Sequence, residues 1–330
     1  MDQLNYIPES EAAKMAAEAN TLGVAIIGAG PAGMTAALYA ARAGLDAVMF
    51  ERIGFGGQLA QTEMVENYPG FPEGVNGFEL AYAMKQQAEV FGAGYIGEEV
   101  IGVDFSRTPK VIKTSFGSYE ANAVIIASGA RARKLGLPLE ADLQGRGVSY
   151  CATCDGNFFK DKVVAVVGGG NTAVADAIYL SRICKKVYLI HRRDTLRATA
   201  IYNDRLSELP NVDILWNAEV RQLIAEDGKL AGIRVERTHE HEMISIPLSG
   251  LFIAVGNEPN SEFLKDSVSL DASGYVQTDE FGKTDLPGVY AAGDVRTKSL
   301  RQVATAIGDG AIVAEDAAEY LATLPLHGID

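Results

Sequence analysis

Val24-Ala-Ile-Ile-Gly-Ala-Gly-Pro-Ala-Gly33 is a short β-branched run followed by closely spaced glycines and an alanine-rich helix pattern, and Val163-Val-Ala-Val-Val-Gly-Gly-Gly-Asn-Thr-Ala173 repeats it. Strand, turn and helix in this order form a dinucleotide-binding fingerprint, whose glycines allow a tight turn and a close approach of the backbone to a pyrophosphate. The phosphates lie at a helix N-terminus, where unpaired amides favour negative charge. The sequence therefore predicts two nucleotide sites, built on Gly28, Gly30 and Gly33 and on Gly168, Gly170, Asn171, Thr172 and Ala173.

The residues at the end of the next apolar run distinguish the two sites. After the first fingerprint this position is Glu51, whose carboxylate can accept hydrogen bonds from a ribose diol. After the second fingerprint the same position begins a basic group that consists of His191, Arg192, Arg193 and Arg197. Its guanidinium side chains would bind a 2′-phosphate, which a carboxylate would repel. The first site therefore suits FAD or NAD and the second NADPH, the alternative for the arginines being a solvated face.

Cys151-Ala-Thr-Cys154 lies between the two fingerprints. A CxxC beside strand-helix-strand patterns favours redox chemistry, and a helix that begins there would help to hold one sulfur as the thiolate. The alternative is half of a zinc site, but the nearby candidate ligands Cys184 and His191 already fit a packed position and the nucleotide edge. Two nucleotide sites around one dithiol indicate an electron relay, and no metal is expected.

Composition narrows the class of protein. The chain has 330 residues, 48% of them hydrophobic, which is enough for two domains with their own cores. The formal charge of −14 gives no reason to expect nucleic-acid binding. No apolar stretch is long enough to cross a membrane, no signal-peptide core is evident, and there are only three cysteines, so a cytoplasmic enzyme with no membrane partner is expected.

The order of elements predicts the domain organisation. Strand and helix patterns alternate from Val24 to about Asn122 and again from Val163 to about Leu251, and a last helix follows from about Arg301. We predict an α/β fold with two Rossmann-like three-layer dinucleotide-binding domains, the second inserted into the first. The predicted divisions are an N-terminal extension at 1–22, a first domain at 23–128 and 253–330, and an inserted domain at 129–252 in which 131–147 is a linker.

Further motifs make a family resemblance specific. The chain carries Gly56-Gly-Gln-Leu59, Val65-Glu-Asn-Tyr-Pro-Gly70, Cys-Ala-Thr-Cys-Asp-Gly156, the basic group after the second fingerprint, and Ala292-Gly-Asp294 followed by Arg301-Gln-Val303. Together with the two fingerprints, these motifs resemble those of the low-molecular-weight, bacterial-type thioredoxin reductases from about Val24 to Leu321. The resemblance implies one FAD, NADPH as electron donor, a homodimer, and the disulfide of thioredoxin or a thioredoxin-like protein as acceptor.

The resemblance also implies residue roles. It places the ADP half of FAD on the first fingerprint and Glu51, and the rest of FAD near Gln58, Asn67, Asp294, Arg301, Gln302 and Val303. It makes Cys154 the sulfur that faces the flavin, Cys151 the sulfur that attacks the partner, and Asp155 the general acid-base. Since the CxxC and the NADPH motif share the inserted domain, a double hinge that rotates this domain would present each to the flavin in turn.

Two departures from the family pattern limit how far residue roles carry over, and alternative functions also stay open. Ala175 stands where relatives often have an acidic residue, with Asp176 as the nearest carboxylate, and Asn157 stands where an apolar residue is common, beside Phe158 and Phe159. The alternatives are a dithiol oxidase that passes electrons to oxygen, a reductase for a glutaredoxin-like or peroxidase partner, and a redox sensor that binds nucleotides without turnover.

Overall fold

A computed structural model describes residues 21–62 and 64–324. The strands and longer helices up to residue 132 are β1 Leu22–Ile27, α1 Pro31–Arg42, β2 Ala47–Phe50, α2 Gly77–Val90, β3 Gly94–Ile96, β4 Val100–Asp104, β5 Lys110–Thr114, β6 Ser118–Ile126 and β7 Ala130–Ala132. Those that follow are β8 Val148–Ser149, α3 Ala152–Asp155, β9 Val163–Val167, α4 Asn171–Ser181, β10 Lys186–Ile190, α5 Ala200–Ser207, β11 Val212–Leu215, β12 Ala218–Glu226, β13 Lys229–Arg237, β14 Glu242–Pro247, β15 Gly250–Ile253, β16 Asn257–Pro259, β17 Val289–Ala291 and α6 Val303–Thr323.

The chain folds into two compact units. The outer unit takes in the described residues up to Arg131 and from Pro259 onward, and the inserted unit is Ala132–Glu258. The chain thus enters and leaves the inserted unit a few residues beyond the predicted positions 128 and 252. Of the predicted N-terminal extension, residues 1–20 lie outside the described part of the chain.

The outer unit is built on one large sheet in the order β3-β2-β1-β6-β5-β4, with β17 also paired to β6. Strands β3, β2, β1, β6 and β17 are parallel, and β1 is buried on both faces. Val24 and Ile26 enter the core that contains α1 and α6, whereas Ala25 and Ile27 enter the core on the opposite face. This double burial explains why β1 is a continuous apolar run.

The inserted unit contains a parallel sheet in the order β11-β10-β9-β15-β8. Val164 and Val166 of β9 pack with α4 and α5, and Ala165 and Val167 pack toward the separate antiparallel sheet β12-β13-β14. The inserted unit therefore has three layers, helices, parallel sheet and antiparallel sheet. The predicted α/β class with two Rossmann-like domains is confirmed.

The predicted alternation of strand and helix is interrupted by consecutive antiparallel strands in both units. Strands β4, β5 and β6 are antiparallel in the outer unit, as are β12, β13 and β14 in the inserted unit. Asp227 and Gly228 connect β12 to β13 as a two-residue turn, and both have positive φ, as a type I′ hairpin requires. The Asp-Gly pair between two apolar stretches is the sequence signal for this hairpin.

The predicted linker at 131–147 is a structured segment. The Glu140 side chain is buried, and its carboxylate accepts hydrogen bonds from the backbone N–H groups of Leu135, Gly136 and Leu137 at 2.7–3.0 Å. It also accepts one from the Tyr150 hydroxyl at 2.7 Å. Burial and the Glu140 carboxylate raise the pKa of Tyr150, which stays a donor. A buried carboxylate with four donors holds this segment in one conformation, so its many polar residues do not make it a free linker.

Candidate nucleotide and disulfide sites

The loop between β1 and α1 requires its glycines. Gly28 has φ of +109°, and a Cβ there would lie 2.4 Å from the carbonyl oxygen of Ala127. A Cβ on Gly33 would lie 1.9 Å from the carbonyl oxygen of Gly28, whereas a Cβ on Gly30 would meet nothing within 4 Å. Gly30 therefore faces open space at the N-terminus of α1, where a phosphate can approach the unpaired amides.

Glu51 lies at the end of β2 beside this loop. Its carboxylate accepts hydrogen bonds from the backbone N–H of Ala29, at 3.1 Å, and of Arg52, at 2.8 Å. Each oxygen keeps a lone pair. The sequence-predicted pair of glycine loop and acidic residue is thus brought together, and Glu51 can accept hydroxyl protons next to the loop.

Asn67, Gln302 and Val303 meet at the start of α6. Asn67 Nδ2 donates to Gln302 Oε1 at 3.0 Å, and Gln302 caps α6 immediately before Val303. The Arg301 guanidinium lies 4.2 Å from the centre of the Tyr275 ring. Gln58 donates to the backbone carbonyl of Ala130. The stretches around Gln58, Asn67 and Arg301 therefore contribute polar groups to the same unit.

Asp294 supplies the observation that favours a bound group in the outer unit. Its Oδ1 atom is buried and has no hydrogen-bond partner within the described residues. Burial raises the pKa of this carboxyl above its ordinary value. An unpartnered buried oxygen is costly unless a ligand hydroxyl or amide pairs with it. Together with the open space at Gly30, Asp294 makes the outer unit fit FAD, whose sugar hydroxyls and phosphates supply the matching groups.

The loop between β9 and α4 repeats the arrangement of the first. Gly168 has φ of +153°, and a Cβ there would lie 2.4 Å from the carbonyl oxygen of Ala254. Ala173 is fully buried in the third position, and a Cβ on Gly170 would meet nothing within 4 Å. Asn171, the first residue of α4, accepts a hydrogen bond from the backbone N–H of Thr199 at 2.9 Å, and Thr172 next to it is exposed.

The basic group after β10 divides into exposed and buried members. Arg192, Arg193 and Arg197 are exposed, so their guanidinium groups can reach a 2′-phosphate. His191 is only 5% exposed, and burial lowers its pKa. The open loop at Gly170 and three exposed guanidinium groups fit NADPH by the chemistry of the donors.

Cys151 and Cys154 form a disulfide at the start of α3, with their Cα atoms 5.3 Å apart. Cys151 is the N-cap of this single helical turn, and Asp155 ends it. The sequence interpretation missed Ser149. Its buried hydroxyl donates to Asp155 Oδ2 at 2.6 Å and accepts from the backbone N–H of Cys151 at 3.1 Å. Ser149 therefore joins the predicted acid-base residue to the backbone of the predicted attacking cysteine.

The zinc alternative finds no ligand set. The described residues contain no group of three His, Cys, Asp or Glu side chains that could hold a metal ion. Cys184 is buried and donates to the carbonyl oxygen of Phe159 at 3.3 Å, and burial raises its pKa to about 11. This thiol is neutral at physiological pH and packs as an apolar group.

The two departures from the family pattern lie near these sites. Ala175 and Asp176 are half-buried on α4, and burial raises the pKa of Asp176 to about 7. Asn157 and Phe158 are exposed just after the cysteines, and Phe159 packs edge-on against Phe252. Phe158 is thus an apolar side chain open to solvent beside the disulfide.

No helix within the described residues has the length and apolar character to cross a membrane.

Comparisons with known proteins agree with this geometry. Residues 22–310 match the family model described as pyridine nucleotide-disulphide oxidoreductase. The chain is 47% identical to a thioredoxin reductase of Streptomyces coelicolor over 304 residues, which cover 91% of this chain and 94% of the relative. It is 46% identical to that of Bacillus subtilis over 301 residues, which cover 91% and 95%. The thioredoxin reductase of Streptococcus pyogenes superposes with a TM-score of 0.86 at 43% identity, covering 92% of this chain and 99% of that one.

Two nucleotide loops and a disulfide define a pyridine nucleotide-dependent disulfide oxidoreductase. The chain belongs to the pyridine nucleotide-disulphide oxidoreductase family, among its bacterial-type thioredoxin reductases.

Proposed function

We propose that this chain is an NADPH-dependent thioredoxin-disulfide reductase. The observation that carries the proposal is the Cys151–Cys154 disulfide, whose helical turn places Asp155 beside it in a chain with two nucleotide loops. The net reaction takes NADPH, a proton and a protein disulfide to NADP⁺ and two thiols. FAD, when bound, supplies the two-electron chemistry that links a hydride donor to a disulfide.

The outer unit holds FAD in this proposal, and the inserted unit holds NADPH and the cysteines. Gly28, Gly30, Gly33 and Glu51 bind the ADP half of FAD, and the group Gln58, Asn67, Asp294, Arg301, Gln302 and Val303 orients the remainder. Gly168, Gly170, Asn171, Thr172 and Ala173 cradle the pyrophosphate of NADPH. The exposed arginines Arg192, Arg193 and Arg197 bind its 2′-phosphate. The support is the open space at both N-termini and the unpartnered oxygen of Asp294.

The cysteines carry the transfer to the partner. With the pair reduced, the Cys151 thiolate attacks one sulfur of the partner's disulfide, and the other sulfur leaves as a thiolate that takes a proton from the Asp155 carboxyl. The Cys154 thiolate then attacks Cys151, which releases the partner as a dithiol and restores the disulfide. The helical turn that begins at Cys151 favours the thiolate there.

Steady-state turnover tests the proposal. The FAD-loaded protein is given oxidised thioredoxin without oxygen, and oxidation of NADPH is compared with that of NADH in the wild type, Cys151→Ser and Cys154→Ser. We expect turnover that prefers NADPH and is lost in both variants. Turnover only with oxygen, or only with a glutaredoxin or a peroxidase protein, would point to the corresponding alternative. Flavin that bleaches without turnover would point to a redox sensor.

We also propose rotation of the inserted unit between the two half-reactions. The chain connects the units twice, near residues 131 and 259, and two connections can act as a double hinge. A covalent cross-link between the units should abolish turnover and leave FAD bound. Full activity of the cross-linked protein would contradict the rotation.

We propose a cytoplasmic homodimer as the working form. The observation that supports a dimer is an apolar pair on α2: the Phe78 and Tyr82 rings are stacked with centroids 6.4 Å apart, and the residues are 53% and 47% exposed. A second copy of the chain would remove this pair from water. Light scattering should give a dimer mass for the wild type and a smaller mass for the double substitution Phe78→Ser with Tyr82→Ser. A wild-type monomer at micromolar concentration would contradict the proposal.

A further inference from the structure

His191 lies between the two parts of the proposed NADPH site. It follows β10 directly and is buried, whereas Arg192, Arg193 and Arg197 are exposed. A buried ring has little surface to offer a phosphate in solvent. The position of His191 in the basic group of the sequence therefore does not make it a phosphate ligand.

The His191 ring packs directly against the glycine loop. A Cβ on Gly169 would lie 2.2 Å from its Cε1 atom and 2.3 Å from its Nδ1 atom, so the ring occupies the place of a side chain at position 169. Trp216 packs against the same imidazole edge-on, with ring centroids 6.4 Å apart. The imidazole therefore packs against the backbone of Gly169 and fixes its position in the loop.

The same ring is bonded to the turn that carries the arginines. His191 Nε2 lies 3.0 Å from the carbonyl oxygen of Thr195, and since a carbonyl only accepts, Nε2 carries the hydrogen. The backbone N–H of Arg197 in turn donates to the carbonyl oxygen of Gly169 at 2.7 Å. His191, Gly169 and the turn at 195–197 therefore form one closed set of contacts.

We infer that His191 is a positioning residue that sets the glycine loop against the arginine turn, and that it does not contact the 2′-phosphate. The inference rests on the proposed NADPH site. The glycine loop binds the pyrophosphate, which NADPH and NADH share, whereas the arginines bind the 2′-phosphate, which NADPH alone carries. Loss of the His191 ring should therefore weaken the use of both nucleotides, and loss of an arginine should weaken only that of NADPH.

The experiment compares kcat/KM for NADPH and NADH in the FAD-loaded enzyme, with anaerobic flavin reduction as a second readout. We expect His191→Ala to lower kcat/KM about tenfold for both nucleotides, as loss of one buried hydrogen bond would, with their ratio unchanged within about twofold. His191→Gln, which can still donate to Thr195, should recover part of the loss. Arg193→Gln should lower the value for NADPH alone, and the exposed His239→Ala is the matched control that should change neither.

The outcomes separate the inference from the function on which it rests. A His191→Gln or His191→Ala enzyme that loses only its NADPH rate would make His191 a phosphate ligand, and one that loses neither rate would remove it from the site; each result overturns the inference. If His191→Ala does not fold, as judged by thermal melting and flavin content, His191→Gln alone decides. An unchanged nucleotide preference in Arg193→Gln would instead contradict the proposed NADPH site.

Discussion

The loop between β1 and α1 and the loop between β9 and α4 share a backbone and differ at their edges. Gly28 and Gly168 both have left-handed φ, and a Cβ on either would lie 2.4 Å from a carbonyl oxygen, of Ala127 in one and of Ala254 in the other. The edge of the first loop is the Glu51 carboxylate, hydrogen-bonded to the loop. The edge of the second is a buried imidazole and three exposed guanidinium groups.

The backbone of each loop and the residues at its edge have different physical roles. The backbone of each loop creates open space at a helix N-terminus, which suits any pyrophosphate. In the proposed function the charge at the edge then selects the nucleotide, because a carboxylate accepts from ribose hydroxyls and guanidinium groups bind a phosphate. The two loops also differ in whether they tolerate a side chain at the third position, which is Gly33 in the outer unit and Ala173 in the inserted unit.

The largest expected effect is that of Gly33→Ala. A Cβ there would lie 1.9 Å from the backbone oxygen of Gly28, so the helix or the loop must move, at a cost of about 3 kcal/mol or more in the free energy of unfolding. Urea unfolding measures the loss of stability, and the flavin content of the purified protein measures the loss of FAD binding. Gly30→Ala is the matched control, because its Cβ would meet nothing within 4 Å and should leave the apoprotein's stability unchanged. A Gly33→Ala protein with wild-type stability and flavin content would show that the first loop is as tolerant as the second.

The double substitution Arg193→Gln with Arg197→Gln should remove the preference of the second loop for NADPH over NADH. Each guanidinium can make charge-assisted hydrogen bonds worth about 1.5–3 kcal/mol, so kcat/KM for NADPH should fall at least about 100-fold while the value for NADH changes little. Anaerobic flavin reduction with each nucleotide measures this. Retained preference for NADPH would mean that the arginines are a solvated face.

Ser149→Ala should affect neither nucleotide loop, since the described hydrogen bonds of Ser149 go to Cys151 and Asp155. Loss of its hydrogen bond to Asp155 should slow thioredoxin reduction about tenfold, as removal of one bond to a charged group does. Stopped-flow measurement should find flavin reduction by NADPH unchanged. The exposed Ser207→Ala is the control, and an equal loss in both half-reactions would contradict a role confined to Asp155.

Glu51→Gln tests the first edge. The amide oxygen can still accept from Ala29, which keeps that hydrogen bond to the loop. An NH₂ group replaces the other carboxylate oxygen, which accepts from the backbone N–H of Arg52 and would accept from a ribose hydroxyl. FAD should bind the apoprotein about fivefold more weakly, as loss of roughly one neutral-strength hydrogen bond would give. Fluorescence titration with FAD measures the change, and NADPH binding should be unaffected. Equal affinity in wild type and variant would place the ribose elsewhere.

The smallest effect concerns one position in the two helices that follow the loops. Ala36 of α1 is fully buried, and its counterpart in α4 is Asp176, whose pKa burial raises to about 7 from 3.8. Between these pH values the folded chain retains a proton that the unfolded chain has released, so Asp176 lowers stability increasingly from about pH 4 to pH 7. Asp176→Asn should therefore raise the melting temperature more at pH 8 than at pH 5. An equal change at both would mean that Asp176 is solvated.

Local signals were sufficient for the parts of the sites that lie close together in sequence. The glycines, Glu51 and the cysteine turn follow from backbone sterics and from the order of strand, turn and helix. The Asp227-Gly228 turn shows that the β12–β13 hairpin was also predictable, because these turn residues have a known conformational preference.

The remaining features depend on tertiary contacts. Ser149 is an ordinary strand residue in sequence, and it becomes significant only when α3 brings Asp155 to its hydroxyl. Glu140 looks like a charged linker residue until four donors surround it. His191 reads as one of four basic residues, and only its burial beneath Gly169 separates it from the arginines.

Nucleotide titration of the purified protein tests the central claim that the two loops bind different nucleotides. FAD content is measured by absorbance after denaturation, and 2′,5′-ADP, which carries the 2′-phosphate without the nicotinamide, is titrated by calorimetry into the FAD-loaded wild type and the Arg193→Gln, Arg197→Gln variant. We expect one FAD per chain in both proteins and one further site for 2′,5′-ADP that is lost in the variant. Two FAD per chain, or displacement of FAD by 2′,5′-ADP, would contradict it.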